Sequence, residues 1–239
     1  MTAARFRNPV FVALDTPDLG RALEIARAVK PHVGGLKIGL EFYTACGPEG
    51  VKRIVAFGLP VFADVKFHDI PNTVAAAARE LARLGAMVFN VHTAGGEIMM
   101  RDAAAAARAV DPKVKVIGVT VLTSIDDAVL DSVGQRSPAA EQVVRLARLA
   151  RLSGLDGVVC SAHEIAAIRA ACGPDFLLVV PGIRPTGADL ADQRRVMTPA
   201  EAHRAGADIL VIGRPITAAA DPAAAAKAIA AELGITAPA

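Results

Sequence analysis

The chain has 239 residues, 53% of them hydrophobic, with 26 Lys and Arg against 24 Asp and Glu and a formal net charge of +2. That length suits one α/β barrel better than two small domains, and the apolar fraction is ample for a large core. The basic residues are scattered rather than gathered into a block, so nothing invokes a nucleic-acid partner.

Aromatics contribute only 4% and Trp is absent, so the core must be built mainly from Ala, Val, Leu and Ile. Cys46, Cys160 and Cys172 form no CxxC pair, and an odd number cannot all pair within one chain. A reduced, cytoplasmic setting is the expectation. Met1 to Asn8 carry two Arg but lead into no signal-type apolar stretch, and runs such as Val10–Leu14 are far too short to span a bilayer. No membrane partner is expected.

Taken in chain order, short apolar runs alternate with Ala-rich helical stretches. Val10–Leu14 leads to Asp15, Gly34–Leu40 carries Lys37, and Pro60–Val65 carries Asp64 and runs into Lys66. Met87–His92 ends on His92, Val114–Leu122 reaches Thr123, and Gly157–Cys160 reaches Ser161. Phe176–Pro181 precedes Arg184, and Ile209–Ile212 precedes Gly213 and Arg214. Several runs are continuously apolar and rich in Val and Ile, as strands buried on both faces should be. Ser161 with Glu164 spells a capping box, Pro138 marks another helix start, and Gly85, Gly154 and Gly206 stand just past helix ends.

Eight such units over residues 1–239 predict a single (β/α)₈ TIM-barrel domain. An open doubly wound sheet is the alternative, but its first strand should open into GxGxxG, whereas here Leu14-Asp15-Thr16-Pro17 follows. The longest connections, Thr123–Ser137 and Arg184–Thr198, both follow strand C-terminal ends, where a barrel builds its active site. They read as a cover for a substrate.

The strand ends together place a ring of polar groups at one mouth of an apolar barrel. Asp64 and Lys66, two apart in a strand, leave the same face, while Ala63, Val65 and Phe67 occupy the other. Partly burying an ion pair costs several kcal/mol per charge before attraction is counted, so stability alone is a poor reason to keep one there. With Lys37 on the preceding strand and Asp69 just beyond, two cations and two anions could alternate around one small space and keep each Lys charged. Pro181-Gly182-Ile183-Arg184 and Gly213-Arg214-Pro215-Ile216 sit after the seventh and eighth strands, the usual phosphate loops of this fold. His68 and His92 lie near the mouth, but no HxH or HExxH spacing supports a transition-metal site. His32, His163 and His203, and the Arg145, Arg148 and Arg151 stripe, read as surface.

The stretch Asp64-Val65-Lys66-Phe67-His68-Asp69-Ile70-Pro71-Asn72-Thr73 resembles the signature of the orotidine 5′-phosphate decarboxylase family, type 1 subfamily. Ala13-Leu14-Asp15, Leu36-Lys37-Ile38-Gly39, Val119-Thr120-Val121-Leu122-Thr123-Ser124, Val180-Pro181-Gly182-Ile183-Arg184 and Val211-Ile212-Gly213-Arg214-Pro215-Ile216 follow the family in the same order. A bare DxKxxD would be shared with related sugar-phosphate enzymes. The Ile-Pro-Asn-Thr that follows it, and the segment from Gln193 to Pro199, favour the orotidylate family.

The resemblance implies decarboxylation of orotidine 5′-monophosphate to UMP with no cofactor and no metal, Lys66 delivering the proton that replaces the carboxylate. It implies that Asp15 and Lys37 hold the ribose hydroxyls, with Lys37 also in the charged network of Asp64, Lys66 and Asp69. In the family Asp69, Ile70 and Thr73 reach the neighbouring active site, so a homodimer is implied. Thr123 would contact the pyrimidine, Gln193, Gly213 and Arg214 the phosphate, and Arg184 would anchor the covering loop. Two other readings stay open on sequence alone. One is a decarboxylase or aldolase-like synthase of keto-sugar phosphates using Mg²⁺ held by carboxylates including Glu41. The other is a non-catalytic barrel that senses UMP and a protein partner, a reading with no use for inward Asp64 and Lys66.

Overall fold

Apolar runs too short for helices bury their backbone polar groups best by pairing with one another. In the computed structural model, which describes residues 6–185 and 197–235, eight of them close a parallel barrel in sequence order. The strands are β1 (Val10–Ala13), β2 (Gly35–Ile38), β3 (Val61–Phe67), β4 (Val88–His92), β5 (Lys115–Val119), β6 (Gly157–Val159), β7 (Leu177–Val180) and β8 (Ile209–Ile212). Closure is made by β1 against β8, with Val10 opposite Leu210 and Val12 opposite Ile212.

Helices cover the outside: α1 (Leu19–Val29), α2 (Leu40–Val55), α3 (Pro71–Arg83), α4 (Gly96–Arg108), α5 (Asp127–Ser132), α6 (Ala139–Leu152), α7 (Ile165–Cys172), α8 (Pro199–Ala205), α9 (Arg214–Thr217) and α10 (Pro222–Glu232). None of the described helices is long and apolar enough to cross a membrane.

Strand alternation divides the core into two layers. Phe11, Phe62, Val88, Ile117, Val179 and Ile209 fill the barrel interior, while Val10, Val12, Ala63 and Val65 pack outward against the helices. Fully burying a Phe such as Phe62 is worth about 1.5–3 kcal/mol of transfer free energy. Gly35 makes room for the interior layer, because a Cβ there would sit 2.3 Å from the Phe11 ring.

The strand N-terminal end is tied by ions. Asp156 accepts from Arg108 Nη2 at 2.8 Å, Lys115 Nζ at 3.0 Å and the Val116 N–H at 2.9 Å. Asp208 likewise accepts from Arg169 Nη2 and the Leu178 N–H, both at 2.8 Å. These bonds fix the floor of the barrel and leave the opposite mouth to side chains with other tasks.

Most strands are somewhat shorter than their apolar runs, and three boundary differences bear on the mouth of the barrel. β3 continues through Lys66 to Phe67, because β4 supplies a side-chain partner described below. The fifth strand stops at Val119 rather than Leu122, and the connection beyond it contains α5, whose first turn is capped by Asp126 accepting from the Val129 N–H. Pro138 is the residue before α6 rather than its first, and the Ala139 N–H there donates to Asp127 at 2.7 Å.

Candidate active site

Asp15, at the end of β1, accepts two hydrogen bonds from Lys37 Nζ, at 2.7 and 3.0 Å. Lys37 projects from β2 and is almost fully buried, so its ammonium needs the anions around it. Its second anion is Asp64 of β3, at 3.5 Å, and the other carboxylate oxygen of Asp64 meets Lys66 Nζ at 2.5 Å. The row therefore reads acid, base, acid, base across three adjacent strands. Gly39 leaves it space, since a Cβ there would lie 2.5 Å from Asp15 Oδ1 and 3.0 Å from Lys37 Nζ.

Burial alone would raise the Asp64 carboxyl above its ordinary value. The ammonium groups of Lys37 and Lys66, with hydrogen bonds from Lys66 and Asn90, outweigh that and hold it lower. Beside this row the His68 and His92 rings lie 5.4 Å apart. Burial, then the neighbouring His68 and Lys66, push His92 down from its ordinary value, which favours the neutral ring.

Alternation correctly brings Asp64 and Lys66 together, with Ala63 and Val65 in the outer layer and Phe67 packed against it. The backbone is nevertheless not that of a regular strand. Lys66 has φ of +50°, the only described non-glycine residue with positive φ. Such a conformation costs an ordinary residue about 1–2 kcal/mol and points to function when the surroundings impose it.

The other residues singled out from the sequence lie as follows. Asp69, Ile70 and Thr73 are exposed around the start of α3; Asp69 accepts the Ile70 N–H at 2.6 Å, and among the described residues it joins no ion pair. Thr123 is half-buried beyond β5. Arg184 is buried beyond β7, with Nη1 donating to the Ile183 carbonyl and its N–H to the Met197 carbonyl. Gly213 precedes α9, its carbonyl accepting from the Ile216 and Thr217 N–H groups, and Arg214 opens that helix exposed. Glu41 is exposed in the first turn of α2. Gln193, with residues 186–196, lies outside the described residues.

Sequence reasoning missed Asn90. It is fully buried in β4, donates from Nδ2 to Asp64 Oδ1 at 2.7 Å and accepts the Lys66 N–H on Oδ1 at 2.8 Å. The available signal was a lone amide in the apolar run Val88-Phe89-Asn90-Val91, where an unpartnered polar group would be costly.

The family model described as "Orotidine 5'-phosphate decarboxylase / HUMPS family" matches residues 8–229. The chain is 57% identical over 233 residues to an orotidine 5′-phosphate decarboxylase of Moorella thermoacetica, covering 95% of this chain and 92% of that one. It is 53% identical over 233 residues to the one from Paramagnetospirillum magneticum, covering 95% and 99%. The crystal structure of orotidine 5′-phosphate decarboxylase from Lactobacillus acidophilus superposes with a TM-score of 0.85 at 40% identity, covering 95% of this chain and 99% of that one.

Proposed function

The chain belongs to the orotidine 5′-phosphate decarboxylase / HUMPS family, and from that premise we propose that it converts orotidine 5′-monophosphate to UMP and CO₂ without a cofactor. The observation that carries this reading is the alternating row Asp15, Lys37, Asp64, Lys66 at the C-terminal mouth of the barrel.

Breaking the bond from C6 to the carboxylate releases CO₂ and leaves an electron pair in an sp² orbital that the pyrimidine ring delocalises poorly. The ammonium of Lys66 beside C6 stabilises that pair and then gives it a proton, forming UMP; the neutral amine regains a proton from water. Asp64 keeps the ammonium charged and aimed, and Lys37 keeps Asp64 ionised. Asp15 and Lys37 hold the ribose hydroxyls and Thr123 contacts the pyrimidine. Gln193, Gly213 and Arg214 take the phosphate, whose binding energy helps assemble the charged site, and Arg184 anchors the segment beside it.

The site is completed in a homodimer, with Asp69, Ile70 and Thr73 of each copy reaching the neighbouring mouth. The exposure of Ile70 (67%) and Ile98 (56%) around the start of α3 and on α4 supports a second copy packing there. The free thiols of Cys46, Cys160 and Cys172 suit a reduced, cytoplasmic setting.

The test follows orotidylate loss by ultraviolet absorbance, with and without a chelator, on wild type and Lys66→Ala. Expected are chelator-resistant turnover in wild type and a drop of at least about a thousandfold in Lys66→Ala, with UMP still bound. Near-normal turnover by Lys66→Ala would remove Lys66 from its role, and loss of wild-type activity to the chelator would favour metal-assisted chemistry instead.

A further inference from the structure

β3 and β4 are out of step where the charged pair sits. Ala63 pairs with Phe89 and Phe67 pairs with Val91, so Asp64, Val65 and Lys66 together stand opposite the single residue Asn90. A bulge of this kind interrupts the backbone ladder and re-aims side chains. The Lys66 N–H, displaced from that ladder, finds the Asn90 side chain instead.

The amide of Asn90 can face only one way. An N–H must meet its carbonyl oxygen and a carboxylate must meet its NH₂ group, which assigns Oδ1 to Lys66 and Nδ2 to Asp64. One rigid planar group thus grips the backbone of Lys66 and the carboxylate of Asp64 at once. Glycine would relieve the left-handed backbone at position 66 but would carry no ammonium, so the conformation must be imposed from outside the residue. Burying an amide in an apolar strand is unfavourable unless both of its ends are used, and here both are.

We propose that Asn90 is a positioning residue for the decarboxylation: it holds Lys66 in its left-handed bend and sets the rotation of the Asp64 carboxylate, so that the Lys66 ammonium is presented at a fixed point of the mouth. This inference rests on the assignment of Lys66 and Asp64 to the reaction. Substrate is not touched by Asn90 in this scheme; binding through the phosphate and ribose groups is independent of it. Its loss should therefore lower kcat far more than it raises KM.

Two substitutions separate positioning from simple stability. Asn90→Leu keeps the branched shape in a somewhat larger side chain and deletes both hydrogen bonds; a fall in kcat of about ten- to a hundredfold is expected, with KM and UMP affinity changed less than about threefold. Asn90→Asp keeps the acceptor for the Lys66 N–H but sets a second carboxylate against Asp64. Two adjacent carboxylates resist joint ionisation, so the acid limb of the pH–rate profile should move to higher pH. Lys37, Lys66 and Asp15 are the other charges of that cluster, and His68 and His92 flank it.

A lowered melting temperature with unchanged kcat in Asn90→Leu, or an unmoved acid limb in Asn90→Asp, would overturn the proposal. If Asn90→Leu does not fold, the profile of Asn90→Asp decides. Should wild type itself fail to turn over orotidylate, the assignment of function falls, and the Asn90 inference is then judged on a crystal structure of Asn90→Leu. Retention of the positive φ at residue 66 there would sink it.

Discussion

Among the described residues Asp64 is the one anion that touches both lysines of the row, and its stability contribution has a definite sign. Its folded pKa lies below the ordinary value of 3.8, so between the two values the unfolded chain binds more protons than the native one. The stabilisation is complete above the ordinary carboxyl value and is lost as pH falls through the lower folded value. Asp64→Asn leaves Lys37 and Lys66 facing each other without the intervening anion, which should cost roughly 3 kcal/mol at neutral pH. As pH falls below 3.8 the unfolded chain takes up a proton that native Asp64 does not, so the gap between the two proteins should narrow from there and close only below the lower folded value. Urea denaturation of both proteins at stepped pH measures that gap; a difference constant from neutral pH down to pH 3 would refute this account.

At the level of elements, β1 and β2 show how tightly the interior layer is fitted. Gly35 faces the Phe11 ring, and a Cβ added there would sit 2.3 Å from it, far inside contact distance. Gly35→Ala should therefore cost about 1–3 kcal/mol by overpacking. A smaller side chain in Gly35→Ala/Phe11→Leu should recover part of the loss, seen as non-additive melting temperatures in a double-mutant cycle. Strictly additive losses would show that the ring and the glycine are not coupled. The same strands show why so much of the fold is readable from sequence. A parallel strand covered on both faces is an unbroken apolar run, and eight of them in regular alternation with helices leave few other architectures. Asp64 and Lys66 could be paired from alternation alone, because most of β3 is extended. The left-handed bend at Lys66 could not be read, since it arises from how β3 pairs with β4 and not from any local propensity of lysine. Asn90 was hidden for the same reason: its meaning lies in two partners on another strand. Within the connection after β5, α5 escaped notice because a six-residue helix is too short to show a periodic pattern.

Over the whole molecule the two ends of the barrel have different tasks. The floor is locked by Asp156 and Asp208 with their cations, whereas the mouth carries charges whose grouping stability does not explain. Among the described residues Asp69 joins no ion pair with the row and is exposed beside the start of α3, and the proposed dimer has its carboxylate act on the neighbouring copy. That arrangement predicts complementation. Lys66→Ala and Asp69→Ala homodimers should each be nearly inactive, because every site lacks one of the two groups. A mixed dimer contains one site with Lys66 from the Asp69→Ala chain and Asp69 from the Lys66→Ala chain, and a second site lacking both. Equal amounts of the two variants, unfolded together and refolded, should give about half mixed dimers and so about a quarter of wild-type activity per site. If each copy instead used its own Asp69, every site in the mixture would still lack a group, and activity would stay at the level of the separate variants.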